Sequence, residues 1–246
     1  MKNPGKALVV LLAAVLLAAV TAGCGKNVDK SDTVRWINGT QALRAEVNGW
    51  DCAVFGGEAV KDDAAASRKE RLAEEWEVTD RASADETVDW LLSEGHRMSF
   101  AERMDLLTES GLAGAAEGER TDFIYEHYEL TEEEAQRYAQ LYKAYEEAGA
   151  DAVSAWDYSR AISVLADGYV AGYYTKEEAL DRSLEIAGVM QGIYGSWDAF
   201  ADSYLRGYEY AAEESSRERK GIYETLKAAE DSVYLLDWNL ALEKSW

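Results

Sequence analysis

Residues 153–173 read VSAWDYSRAISVLADGYVAGY, and the organisation of the chain is best worked out from this stretch. Apolar side chains recur on almost every face of a helix drawn through it, and few of its residues are charged. A helix that is apolar nearly all round belongs in the interior of a protein, because no face of it suits water. The pattern predicts a buried central helix over about residues 151–173, with other helices packed around it.

The rest of the sequence predicts further helices. The only proline is Pro4, so no proline interrupts the chain after the first few residues. A Ser or Thr followed three residues later by Glu can cap a helix start, because the pair satisfies two free backbone N–H groups. Four such pairs occur: Ser83/Glu86, Ser99/Glu102, Thr131/Glu134 and Thr175/Glu178. No run alternates apolar and polar residues for long enough to predict a strand. We expect a mainly α fold with little or no sheet, as a single multi-helix globular domain over residues 34–246.

The composition excludes several classes of function. The chain has 246 residues, of which 48% are hydrophobic, and its formal net charge is -22. Such an acidic surface repels phosphate backbones, so nucleic acid is not an expected partner. With two His, two Cys and no metal-binding motif, the sequence predicts no metal site. It also contains no phosphate-loop or dinucleotide-binding motif, so no cofactor is predicted.

The first residues resemble an export signal. A basic start precedes an uncharged apolar run over residues 7–20, which is short for a membrane-spanning helix. An Ala-Gly pair and then Cys24 follow, as at the cleavage site of bacterial lipoproteins, in which the cysteine is acylated. We expect a lipoprotein signal peptide over residues 1–23, a lipidated Cys24 and a polar tether over residues 24–33.

This signal also predicts where the protein is located. Two or three acyl chains anchor a protein stably, so we expect it at the cell membrane, lipid-anchored and facing outside the cytoplasm. An ordinary signal peptide with an incidental cysteine is the alternative. Lipidation of Cys24 would leave Cys52 without an intramolecular partner, and the sequence leaves open whether that thiol is buried or reactive.

Four side chains are candidates for a polar site: Glu94, His96, Asp157 and Arg160. Asp157 and Arg160 are three positions apart on the central helix, and a charge in an apolar setting needs a partner. We expect these two to form an ion pair that holds the helix to a neighbour, and a polar pocket floor is the alternative. Glu94 and His96 follow a predicted helix end. His96 would need a second acid or a nucleophile nearby for acid–base chemistry.

Several blocks of the sequence are spaced as in a known family. They include DWLLSEGHR at 89–97, WDYSRA at 156–161 and SWDAF at 196–200. Together these blocks resemble the bacterial domain-of-unknown-function family 1266, with the best match over about residues 76–240. The resemblance implies a mostly helical single domain. It implies no catalytic residue, because the family carries no established activity.

Two hypotheses for function remain. The chain has 8 Trp and 15 Tyr against 4 Phe, which suits either a Tyr-rich core or an aromatic groove for a peptide or glycan. We favour a non-enzymatic, membrane-tethered, extracytoplasmic helical module that binds an unknown ligand or a protein or envelope partner. The alternative is an uncharacterised enzyme with a polar pocket around Glu94, His96, Asp157 and Arg160. Convergence of these side chains in one concave pocket would favour the enzyme.

Overall fold

The computed structural model describes residues 29–246, and most of them are helical. The helices in chain order are α1 (Asp32–Gly39), α2 (Ala42–Asn48), α3 (Asp62–Trp76), α4 (Arg81–Ser93), α5 (Gly95–Glu109), α6 (Arg120–His127), α7 (Glu132–Ala148), α8 (Ser154–Ala171), α9 (Lys176–Ile193), α10 (Trp197–Ala212) and α11 (Arg217–Ala228). No strand occurs in these described residues, which confirms the mainly α fold. The predicted signal peptide over 1–23 and Cys24 lie outside them.

Helix α8 lies at the centre of the fold, as its sequence predicts. Every residue of α8 is buried except Arg160 and Tyr169, and helices α3, α4, α9 and α10 pack against it. Each large apolar side chain that becomes fully buried contributes about 1.5–3 kcal/mol. Close packing depends on Gly207 of α10, where an added Cβ would lie 2.3 Å from the Cβ of Trp156. The central helix is therefore held on most of its circumference.

Two of the four predicted capping boxes are confirmed. At Thr131 and Thr175 the hydroxyl accepts from the backbone N–H of the Glu three residues later, and that Glu accepts from the backbone N–H of the threonine. The predictions at Ser83 and Ser99 are wrong. Helix α4 begins earlier because Asp80 caps it and Ser83 makes the reciprocal hydrogen bond. Ser99 lies inside α5, where its hydroxyl donates to a carbonyl one turn earlier.

The domain begins slightly before the predicted boundary at residue 34. The carboxylate of Asp29 accepts from the backbone N–H of Phe55 at 2.9 Å and pairs with Lys176 at 2.5 Å. Helix α1 then begins at Asp32, with Ser31 as its N-cap. The last residues of the predicted tether therefore belong to the folded domain.

The apolar core has two parts. The larger part surrounds α8 and includes Trp36, Trp197 and Trp238, whose ring centroids lie 4.8–5.0 Å apart. The indole N–H of Trp36 donates to the carbonyl oxygen of Trp238 at 3.1 Å, which ties the C-terminal segment to α1. The smaller part lies between α5, α6 and α7 around Phe100 and Tyr142. Much of the aromatic content is therefore core.

Candidate functional site

The junction of α4 and α5 brings the start of α5 onto the central helix. Helix α5 begins at Gly95 with φ +60°, and an added Cβ there would lie 2.4 Å from Oδ2 of Asp157. The side chain of Glu94, at the N-cap position, makes no capping hydrogen bond to this helix. Instead, the backbone N–H groups of His96 and Arg97 donate to Oδ1 and Oδ2 of Asp157, both at 2.9 Å. Asp157 therefore caps α5 from a different helix.

Two side chains complete the environment of Asp157. Nδ1 of His96 lies 2.7 Å from Oδ1, and a guanidinium nitrogen of Arg97 lies 3.3 Å from Oδ2. Arg97 also donates to the carbonyls of Leu91 and Leu92, at the end of α4. The carboxylate of Asp157 is fully buried, yet each of its oxygens has two nitrogen partners. This buried charge is fully compensated.

The predicted ion pair between Asp157 and Arg160 is wrong. The start of α5 supplies the partners of Asp157 instead. Arg160 lies over Trp156 of the same helix, with its guanidinium carbon 4.1 Å from the ring centroid. No described residue forms a salt bridge with Arg160. Asp157 therefore pairs with groups at the start of α5 and not with Arg160, the partner that the spacing predicts.

Arg160 is the charged group on α8 that lacks compensation. Its Nε is buried without a hydrogen-bond partner in residues 29–246. Burial lowers the pKa of its guanidinium below the ordinary value, and the neighbouring charge of Arg44 lowers it further. A guanidinium nevertheless keeps its charge in a protein, so this desolvation is a cost to stability. Such uncompensated groups mark candidate functional sites.

Arg160 lines a cleft of about 480 Å³. The cleft lies between α2, α3, α8, α10, α11 and the start of α5. Its lining combines basic, aromatic and small side chains: Arg44, Val47, Asn48, Arg71, Glu75, Trp76, His96, Trp156, Arg160, Tyr208, Ala211, Ala212 and Arg219. Small-molecule sites have volumes of about 300–1,000 Å³. Four arginines against one glutamate make the lining positive, although the chain carries a net charge of -22.

Two of the cleft arginines already have carboxylate partners. Arg44 is buried and pairs with Asp167 at 2.5 Å. Burial lowers the pKa of Arg44, but the nearby charge of Asp167 outweighs this effect and raises the pKa above its ordinary value. Arg71 lies 2.8 Å from the carboxylate of Glu75 on the next turn of α3. The positive charge of these two arginines is therefore largely balanced, and part of their hydrogen-bonding capacity is already used.

The other two arginines are held by aromatic rings. Arg160 stacks on Trp156, and the guanidinium carbon of Arg219 lies 4.0 Å from the ring centroid of Tyr208. Arg219 forms no salt bridge with any residue that the structure describes. Stacking fixes the plane of a guanidinium and leaves its N–H groups free at the edge. Both side chains are thus oriented without being neutralised.

His96 connects the buried carboxylate to the cleft. The carboxylate of Asp157 accepts from Nδ1, so the ring presents its other nitrogen, Nε2, away from Asp157. The ring lines the cleft, and Trp90 packs against it at 5.3 Å between centroids. A His–Asp pair of this kind can orient an imidazole for acid–base chemistry. No Ser, Thr or Cys among the described residues lines the cleft.

The structure brings together three of the four predicted site residues. His96 and Arg160 both line the cleft, and Asp157 lies directly behind His96. Glu94 is exposed where α4 meets α5 and forms no hydrogen bond or salt bridge with the other three. The predicted pocket around four residues is corrected accordingly, with Glu94 outside it.

Three cleft arginines are not evident from the sequence. Arg44 and Arg71 lie on the successive helices α2 and α3, Arg219 lies on the distant α11, and no local spacing links the three. A usable signal exists only for Trp156 and Arg160, an aromatic residue and an arginine four positions apart on one helix.

Outside the cleft, the described residues bear on the possible metal ligands, on Cys52 and on membrane-spanning helices. No group of His, Cys, Asp and Glu within residues 29–246 is arranged to hold a metal ion. Cys52 is half-buried, and burial together with the charge of Asp51 raises the pKa of its thiol. A raised pKa lowers the thiolate fraction, which favours an unreactive cysteine. Over the same range, no helix combines the length and the apolar character needed to cross a bilayer.

The fold and the cleft define an all-α, single-domain protein with a polar cleft beside its central helix. Residues 71–238, more than half of the chain, match the family described as Protein of unknown function (DUF1266). The chain belongs to this family, as the resemblance of its sequence blocks predicts. Apart from the residues on α2, the cleft lies within the matched region. Comparisons with curated proteins and with solved structures gave no significant match.

Proposed function

We propose that the protein is a non-enzymatic binding module whose ligand occupies the arginine-lined cleft. The observation that carries this proposal is the guanidinium of Arg160. It faces a cleft of ligand size, its Nε is buried, and no described carboxylate pairs with it. A bound ligand would supply the missing acceptor, which accounts for a cation that otherwise costs stability.

We also propose that the module is attached to the outer face of the cell membrane through Cys24. The support is the sequence alone: a basic start, a short apolar run and an Ala-Gly-Cys site. Cys24→Ser should release the protein from membranes or leave it as an uncleaved precursor, because lipidation is its proposed anchor. A variant that is cleaved and still sediments with membranes after a high-salt wash would contradict this anchor.

Binding can be tested without knowing the ligand. Small molecules extracted from the source cells are fractionated, and each fraction is added to the purified full chain in a thermal unfolding assay. A ligand of the folded state raises the unfolding temperature by mass action. We expect at least one fraction to stabilise the wild type, and the same fraction to stabilise Arg160→Met much less.

A matched control separates the cleft from general charge effects. Arg103 is an exposed arginine of α5 outside the cleft, so Arg103→Met removes the same charge elsewhere. This control should respond like the wild type. If no fraction stabilises the wild type, or if Arg160→Met responds fully, the cleft is not the binding site.

An enzyme remains the second candidate, and one observation favours it. His96 is held by the buried Asp157 and lines the same cleft as the arginines. If His96 is catalytic, each protein molecule should convert more than one molecule of a compound in the stabilising fraction. The variant His96→Gln should abolish this turnover. Recovery of the bound compound unchanged and in equimolar amount supports the binding module instead.

A further inference from the structure

We infer that the ligand of the cleft is a small organic phosphate monoester, bound by the guanidinium groups of Arg160 and Arg219. This inference rests on the proposed function, because it takes the cleft as the ligand site. Three features support it independently: the local charge, the two guanidinium groups without a carboxylate partner, and the apolar side chains in the lining.

The cleft is a positive site on a negative protein. Four arginines and one glutamate line it, a formal charge of +3, whereas the chain carries -22. An anion is repelled by most of the surface and attracted here, which concentrates it at the cleft. Since Arg44 and Arg71 are paired with Asp167 and Glu75, the net positive charge of the cleft comes mainly from Arg160 and Arg219.

The two stacked arginines determine how many hydrogen-bond acceptors the ligand needs. Arg160 lies over Trp156 and Arg219 over Tyr208, and neither guanidinium forms a salt bridge with a carboxylate of the described chain. One carboxylate offers two oxygens and one negative charge, which satisfies a single guanidinium. A phosphate monoester offers three oxygens and a charge of about −1.5 to −2 near neutral pH, so it can serve both.

The walls indicate an organic group attached to the phosphate. Trp76, Val47 and Ala211 line the cleft together with the arginines. A bare phosphate ion would leave these apolar surfaces and most of the 480 Å³ without contact. An aromatic or aliphatic substituent would cover them and add hydrophobic binding energy.

Calorimetric titration of the full chain with defined probes tests the inference. The probes are phenyl phosphate, inorganic phosphate, benzoate, benzyl alcohol and a soluble short-chain phosphatidylglycerol, each at neutral pH and low salt. We expect phenyl phosphate to bind at least about tenfold more tightly than inorganic phosphate or benzoate, because it alone combines ring and dianion. Added salt should weaken this binding.

Variants assign the binding to the two stacked arginines. Arg160→Met and Arg219→Met should each weaken phenyl phosphate binding by about tenfold or more. Arg160→Lys should not restore it, because an ammonium lacks the planar array of donors. Arg103→Met should bind like the wild type, and circular dichroism of every variant should show that the fold is intact.

Each alternative result has a defined meaning. Equal binding of benzoate identifies a carboxylate ligand, and tighter binding of the phosphatidylglycerol identifies a lipid headgroup; either overturns the monoester. Equal binding of benzyl alcohol, or no binding of any probe while cell-extract fractions still stabilise the wild type, overturns the inference and leaves the binding module standing. If neither probes nor fractions bind, both fail.

Discussion

Asp157 and Arg160 lie three positions apart on the same central helix, but only the charge of Asp157 is balanced by partners within the fold. Asp157 is fully buried and receives four nitrogen partners from the start of α5. Arg160 has an aromatic ring beneath it and no carboxylate partner in the described residues. A buried charge with every partner in place holds the structure together. A charge left without partners beside a cleft is available to something outside the chain.

The largest effect is expected on the Asp157 side. Asp157→Ala removes the cap of α5 and leaves the guanidinium of Arg97 buried without its carboxylate. Breaking a buried pair in this way typically costs about 3–5 kcal/mol. We expect the free energy of unfolding, measured by urea denaturation, to fall by that amount. A loss below about 1 kcal/mol would mean that Asp157 does not hold α5 in place.

The next effect tests the approach of α5 to Asp157. Gly95→Ala places a Cβ 2.4 Å from Oδ2 of Asp157 at a residue with φ +60°. Strain at such a position costs about 1–3 kcal/mol, and the clash adds to it. Gly118→Ala is the control, since nothing lies within 4 Å of an added Cβ there and its φ is not positive. Similar denaturation midpoints for the two variants would show that the cap by Asp157 does not require a glycine at residue 95.

A smaller effect is expected where a helix is capped by its own residues. Thr175→Ala removes the hydroxyl that accepts from the N–H of Glu178, at a cost of about 1 kcal/mol. The variant sharpens the comparison, because this local cap should matter less than the cap that Asp157 supplies from another helix. A denaturation loss as large as that of Asp157→Ala would remove the distinction.

The same capping box predicts a pH dependence. Hydrogen bonds from the backbone N–H of Thr175 and from Arg81 lower the pKa of Glu178 to about 2, from an ordinary 4.5. Because the folded-state pKa is the lower one, the contribution of Glu178 is fully present above about pH 4.5 and is lost as pH falls through about 2. NMR titration of the Glu178 carboxyl should show this low pKa. It should rise in Thr175→Ala, and an ordinary value in the wild type would argue against the box.

The sequence predicts those parts of the fold that depend on neighbours in the chain. Helix α8 follows from its apolar periodicity, and the helix starts at Thr131 and Thr175 follow from a three-residue spacing. The start at Ser83 fails for an equally local reason, since Asp80 three residues earlier is the better cap and recruits Ser83 as its partner.

The site is less accessible to such reasoning, because its partners are distant in sequence. Spacing makes Asp157 and Arg160 an obvious pair, but the donors of α5 come from about 60 positions away and reach Asp157 first. Arg219 joins the cleft from α11 without any pattern that connects it to Arg160. Residue types identify candidates such as His96, whereas only the packing of α5, α10 and α11 on α8 shows which of them meet.

A double-mutant cycle between Asp157→Ala and Arg160→Met, followed by urea denaturation, tests the difference between the two charges most directly. We predict that Arg160→Met alone leaves the free energy of unfolding unchanged or raises it by up to about 1 kcal/mol, because a desolvated cation is removed. The effect on the double variant should equal the sum of the two single effects, with a coupling energy within about 0.5 kcal/mol of zero. A marked loss of stability in Arg160→Met, together with a coupling above about 1 kcal/mol, would show that the two charges stabilise each other and that Arg160 is structural.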